Sequence, residues 1–243
     1  MEKNTFERIV DEVVASSPPF AAARVYKELK IKYGKPSGQW KLWCKRPKSE
    51  KERTEVIIGA VLTQRTNWKN VQLAINNLKK AKINSLRGIY RTGKRSLAPL
   101  IKPAGFYKTK SRYLFSLIKF IFKKYGSLAK MKRQDVEELR EKLLKIKGIG
   151  SETADSILLY ALDKPVFVID EYTRRLIKKR RISQNLSYDF LQKLFEKNLK
   201  PRSRIWTNCH LRSKSKFHYG VKRDFRLYQD FHALIVIDGK NGN

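Results

Sequence analysis

Residues 143–160 read Leu-Leu-Lys-Ile-Lys-Gly-Ile-Gly-Ser-Glu-Thr-Ala-Asp-Ser-Ile-Leu-Leu-Tyr, and they leave the backbone few choices. From about Asp135 to Ile146, the apolar residues Val136, Leu139, Leu143 and Ile146 recur at helical spacing on one face. From Ser151 to Leu162, Ala154, Ile157, Leu158 and Ala161 do the same. Only Lys147-Gly-Ile-Gly150 separates the two predicted helices. Glycine reaches left-handed conformations without a Cβ clash, so a pair of glycines around one apolar residue permits a very sharp turn. Ile149 can then point inward and pin the turn to both helices. The amides of Gly150 and Ser151 sit at the positive end of the second helix, a natural seat for phosphate. An ordinary helical hairpin with a glycine cap is the plainer alternative. A Gly-apolar-Gly run followed at once by a new helix is more specific than that.

About twenty residues further comes Val166-Phe-Val-Ile-Asp-Glu-Tyr-Thr-Arg-Arg-Leu176. An apolar run is followed by Asp170 at a predicted helix start, where aspartate commonly serves as an N-cap. The hairpin, the loop containing Pro165 and Asp170 together resemble the helix-hairpin-helix, Gly/Pro-rich loop and aspartate signature of the endonuclease III superfamily of DNA glycosylases. The resemblance implies that Asp170 is the catalytic residue. It also implies that Lys147, Gly148, Ile149, Gly150 and Ser151 contact DNA.

The charge balance agrees with a polyanionic partner. Lys plus Arg number 55 against 22 Asp plus Glu, a formal net charge of +33. That excess is beyond what solubility requires and points to DNA or RNA. The chain of 243 residues, 41% of them hydrophobic, is long enough for one large or two small domains with real cores. Ile57–Leu62 is the most apolar run and is far too short to span a bilayer. No signal-peptide pattern opens the chain, and its two cysteines, Cys44 and Cys209, exclude a disulfide scaffold. These features suit a cytoplasmic protein acting on prokaryotic, nucleoid-associated DNA.

Helical periodicity runs through residues 4–15, 21–33, 50–64, 68–81, 85–90, 96–100, a stretch ending near Tyr125, 172–180, 188–199 and 223–237. Strand-like alternation never persists beyond a few residues, so the fold class is all-α. The resemblance implies a two-lobed helical glycosylase fold with a cleft between the lobes. Residues 1–50 plus 165–243 would form a terminal lobe, and 51–164 a central bundle ending in the helix-hairpin-helix at 135–162. Residues 200–222 are basic and aperiodic, as expected of a surface segment.

Gly59-Ala-Val-Leu-Thr-Gln64 also matches the family, in which a glutamine there fills the gap left by a flipped-out nucleotide. Glutamine is thin and carries both donors and an acceptor for an orphaned base. On its own it would be a helix-terminal polar residue. Trp40 and Trp43, set among cations, suit either base stacking or anchoring in the core. His232 reads as a satisfied structural histidine. The segment Pro103-Ala-Gly-Phe-Tyr107 resembles a family segment too, which implies that it and the helix after it pack under the hairpin.

Two departures set the expected subtype. Bifunctional members of the family carry a lysine two residues after the second hairpin glycine, which forms a Schiff base with the sugar. Glu152 stands there, and a carboxylate cannot form an imine. Cluster-bearing members need four C-terminal cysteines, and Cys209 alone cannot hold iron and sulfur. No metal or other cofactor is expected. Both departures resemble the monofunctional 3-methyladenine glycosylase III subgroup, with Glu152, Trp40 and Trp43 as possible pocket residues. The implied partner is double-stranded DNA containing a damaged base, bound by a monomer with no membrane involved. Excision of uracil, mismatched thymine or an oxidised base is the alternative activity. A non-enzymatic binder of distorted duplexes is the alternative class.

Overall fold

The computed structural model of the protein describes residues 22–199 and 225–242. The helix expected over 4–15 and the 200–222 segment with Cys209 lie outside the described residues. Among the described residues there are twelve helices and no strand. The chain divides into two compact units, residues 37–164 and residues 1–36 with 165–243. The second break falls at Lys164–Pro165, but the first falls at 36/37 rather than near residue 50. The reason is aromatic: Trp40 and Trp43 both pack on Tyr160, with ring centroids 5.5 and 5.2 Å away.

The central unit holds α2 (Trp40–Trp43), α3 (Glu50–Leu62), α4 (Trp68–Lys80), α5 (Leu86–Leu100), α6 (Tyr107–Tyr125), α7 (Leu128–Lys132), α8 (Val136–Leu144) and α9 (Ser151–Ser156). α3 is its axis. Ser49 and Glu52 form a reciprocal capping box at its start, and Val56, Ile57, Ile58, Val61 and Leu62 are fully buried. α5 is bent, because Gly93 sits at φ +72° in its middle. The two short helices expected at 85–90 and 96–100 are the arms of that bend. After α9 the chain widens into a π-helical turn, Ile157–Ala161, in which every side chain is buried.

The connector that leaves this unit is anchored by charge. Asp163 accepts from Arg53 at 2.8 Å and from Lys132 at 2.5 Å, while Arg53 Nη1 donates to the Ala161 carbonyl at 2.5 Å.

The terminal unit holds α1 (Ala22–Tyr33), α10 (Glu171–Lys179), α11 (Tyr188–Asn198) and α12 (Phe225–Asn241). α12 runs one turn beyond the Ile237 end expected from periodicity. The apolar run Val166–Ile169 is extended and buried, so its peptide groups need partners. α11 supplies three: the Phe167 N–H donates to Glu196 Oε1 at 3.0 Å, Gln192 Nε2 donates to the Phe167 carbonyl at 2.7 Å, and the Ile169 N–H donates to the Tyr188 hydroxyl at 3.4 Å. The Phe167 ring stacks on Phe195 at 4.3 Å and meets Tyr228 and Phe231 edge-on. Asp170 is thereby fixed at the end of a rigid strut.

Candidate functional site

The hairpin of the central unit is tied together by a pair of charges that periodicity does not reveal. Arg140 on α8 reaches Asp155 on α9 in a two-pronged contact, Nε to Oδ1 at 2.7 Å and Nη2 to Oδ2 at 3.1 Å. Asp155 is wholly buried, so this fork joins the helices from within. Gly148 alone of the two hairpin glycines takes a left-handed conformation, at φ +88°. A Cβ there would run into the Tyr113 ring of α6, so Gly148 is required twice over. Gly150 is extended (φ −91°, ψ 179°), conforms to no special turn, and has open space around the position a Cβ would take. Ile149 is buried and pins the turn, while Lys147, Gly150 and Glu152 are exposed.

Gln64, just past the end of α3, lies against this hairpin. Its Nε2 donates to the Gly148 carbonyl at 2.9 Å and to Thr153 Oγ1 at 3.0 Å. Trp40 and Trp43 are 5% and 4% exposed and built into the core of the central unit. Trp43 also packs edge-on to Trp68 and lies so close to Gly59 that a Cβ there would be 2.9 Å from its ring. The Trp43 indole N–H is buried with no hydrogen-bond partner.

Phe106, in the segment expected to pack under the hairpin, is 67% exposed, in a left-handed conformation at φ +45°, at the tip of the turn that starts α6. Tyr113, two turns later, makes the hairpin contact instead. The signal for Phe106 in the sequence is the Gly-aromatic pair at a helix start, which does not by itself say which way the ring points.

In the terminal unit, Asp170 caps α10. Its Oδ1 accepts from the Thr173 N–H at 2.8 Å and from Thr173 Oγ1 at 2.9 Å. Its Oδ2 lies 3.5 Å from His232 Nε2 on α12, and the carboxylate is 13% exposed. Burial pushes this carboxyl up, but the His232 charge and the Thr173 donors outweigh it and hold Asp170 below the usual carboxylate range. His232 therefore lies 3.5 Å from the carboxylate that the family resemblance marks as catalytic. Gly239 lets α12 approach this closely, since a Cβ there would run into Tyr172. Among the described residues no group of three or more His, Cys, Asp or Glu is placed to hold a metal ion.

The sequence and fold have known counterparts. The chain is 41% identical over 187 residues to a Methanocaldococcus jannaschii protein whose assignment as a DNA repair glycosylase is itself by inference, covering 76% of this chain and 75% of that one. Endonuclease III of Thermotoga maritima is 24% identical over 196 residues, covering 71% of this chain and 87% of the relative. The crystal structure of the H. pylori 3-methyladenine DNA glycosylase bound to 1,N6-ethenoadenine superposes with a TM-score of 0.70 at 32% identity, covering 91% of this chain and 98% of that one. Residues 58–201 match the HhH-GPD superfamily of base excision DNA repair proteins, and the chain belongs to that family of DNA glycosylases.

Proposed function

We propose that the protein is a monofunctional DNA glycosylase that flips a damaged base out of duplex DNA and hydrolyses its N-glycosidic bond, with an alkylated purine such as 3-methyladenine as substrate. The observation that carries this reading is Asp170, a carboxylate kept ionised at the N-terminus of α10 in a chain of this family. The H. pylori relative, a 3-methyladenine glycosylase, supports the substrate class.

A purine methylated at N3 is already cationic. When the bond from C1′ to the base breaks, its electron pair neutralises the ring. The sugar is left as an oxocarbenium ion facing the Asp170 carboxylate, which stabilises it electrostatically. Water adds to C1′ and gives up a proton, leaving an abasic site. An aromatic face against the cationic purine contributes about 1–2 kcal/mol once desolvated. Trp40 and Trp43, expected as possible pocket residues, are buried in the core of the central unit against Tyr160 and Trp68, so neither ring is open to a base. Glu152 offers no amine, so strand cleavage through an imine at this position is not part of the reaction. The cysteine content cannot supply an iron–sulfur cluster, and no step runs through a cofactor.

Lys147 and the amides of Gly148 to Ser151 are the phosphate-contacting elements. Gln64 would leave the Gly148 carbonyl and Thr153 to fill the gap in the duplex, with the exposed Phe106 ring entering beside it. The protein would act as a monomer on genomic DNA in the cytoplasm.

The test is a panel of duplexes, each carrying one lesion, incubated with the protein and then split between hot alkali and none. Strand breaks only after alkali, and only for alkylated purines, are expected. Breaks without alkali would overturn the monofunctional assignment, and preference for uracil, mismatched thymine or an oxidised base would overturn the substrate.

A further inference from the structure

Lys110 sits in the first turn of α6 and is only 2% exposed. Its ammonium donates to the Leu62 carbonyl at 2.8 Å and to the Ala104 carbonyl at 2.8 Å. Leu62 ends α3, and Ala104 ends the 3-10 turn Lys102–Ala104. Carbonyls at helix C-termini lack intrahelical donors, and the ammonium satisfies one from each element. The residues two places beyond these carbonyls are Gln64 and Phe106. One buried charge thus holds the bases of the two turns that carry the candidate duplex-entering side chains.

Burial of this charge is not offset by an acid. Desolvation alone acts on Lys110 and lowers its pKa to about 8. An ammonium buried without a counter-charge is costly, and it persists where its hydrogen bonds fix something. A lysine suits the task because its three tetrahedral donors can serve divergent carbonyls. A methionine would fill the same volume and orphan both. A glutamine is shorter and its donors lie in one plane.

We propose that Lys110 is a positioning residue for duplex opening, its ammonium locking together the turns of Gln64 and Phe106 so that both side chains enter the DNA as one unit. This rests on the reading that Gln64 and Phe106 enter the duplex, and it goes beyond it by naming what sets their mutual position.

The experiment compares single-turnover base release, by the full chain, from two duplexes. In one an alkylated adenine is paired with thymine. In the other it stands opposite an abasic-site analogue, where no orphaned base has to be met. Lys110→Met is expected to lower the ratio of the paired to the unpaired rate about tenfold, and Lys110→Gln to lower it by less. Gln64→Ala and Phe106→Ala should each lower the same ratio. Adding Lys110→Met to the Gln64→Ala/Phe106→Ala double variant should cost little more, since residues acting through one another are not additive. Equal slowing on both duplexes, full additivity, or loss of folding by both Lys110 variants would show a purely structural lysine and overturn the proposal. If Gln64→Ala and Phe106→Ala themselves leave the ratio unchanged, the duplex-entry reading fails first. If they lower it and Lys110→Met does not, only the role of Lys110 falls.

Discussion

Asp170 serves structure and chemistry with different oxygens. Oδ1 is occupied by Thr173, and Oδ2 is the atom near His232. Asp170→Asn keeps the shape and still caps α10 through its amide oxygen, but it removes the charge. We expect single-turnover base release to fall by about 10³-fold while affinity for lesion-bearing duplex stays near wild type. Retained activity would remove Asp170 from the chemistry. His232 adds a pH dependence. His232 lies against Asp170 and lowers its pKa, and the other groups acting on that carboxylate are the Thr173 donors and Lys240 of the same helix. The folded pKa of Asp170 is depressed, so its ionised form persists as pH falls, down to that depressed value. His232→Gln removes one charge and raises the Asp170 pKa toward normal. The acid limb of the rate profile should move up by about one pH unit, with the neutral plateau little changed. An acid limb that does not move would separate the two side chains. Sequence reasoning places Asp170 by its position after the apolar run, but it cannot see His232, which arrives from α12 only when the chain folds.

At the scale of elements, the hairpin is the best-read part of the chain. Its helices, its glycine turn and the buried Ile149 all follow from spacing. Three details are not legible. Only Gly148 needs its left-handed freedom, because that depends on Tyr113 lying against it. The π-helical turn after α9 buries all its side chains, whereas an amphipathic stripe predicts one buried face. The Arg140–Asp155 fork joins residues fifteen apart that look, in a charged surface pattern, like two of many. Asp155 is fully buried, so removing Arg140 takes a two-pronged, charge-assisted contact from a carboxylate shielded from water. Arg140→Met should lower stability by about 3 kcal/mol and reduce the denaturant midpoint without changing the slope. A loss below about 0.5 kcal/mol would mean that the fork behaves as a surface pair. Phe106 belongs to the same lesson: a Gly-aromatic pair predicts a helix start, and only the fold decides that the ring is outside.

For the molecule as a whole, the all-α class was legible because helical periodicity covers nearly every described element, while the first unit boundary was missed because Trp40 and Trp43 bind to a ring more than a hundred residues away. No helix among the described residues is long and apolar enough to cross a membrane. The excess of positive charge makes a further demand on any account of DNA binding. A protein contacting about six phosphates loses about 10³-fold in affinity between 50 and 200 mM salt, because each contact displaces condensed counterions. A net charge of +33 should place this chain in that regime for undamaged duplex as well as for lesions. The hairpin contribution can be isolated within it. Lys147 is exposed at the turn, and Lys147→Gln removes one charge without touching Gly148, Ile149 or the Arg140–Asp155 fork. If Lys147 meets a phosphate, binding should weaken to the same degree on every duplex sequence, and the slope of log K against log salt should become shallower by about one. Base release from bound substrate at saturating protein should change much less than binding does, because the lost contact is present before and during the reaction. An unchanged salt slope would mean that the hairpin approaches DNA through its amides alone.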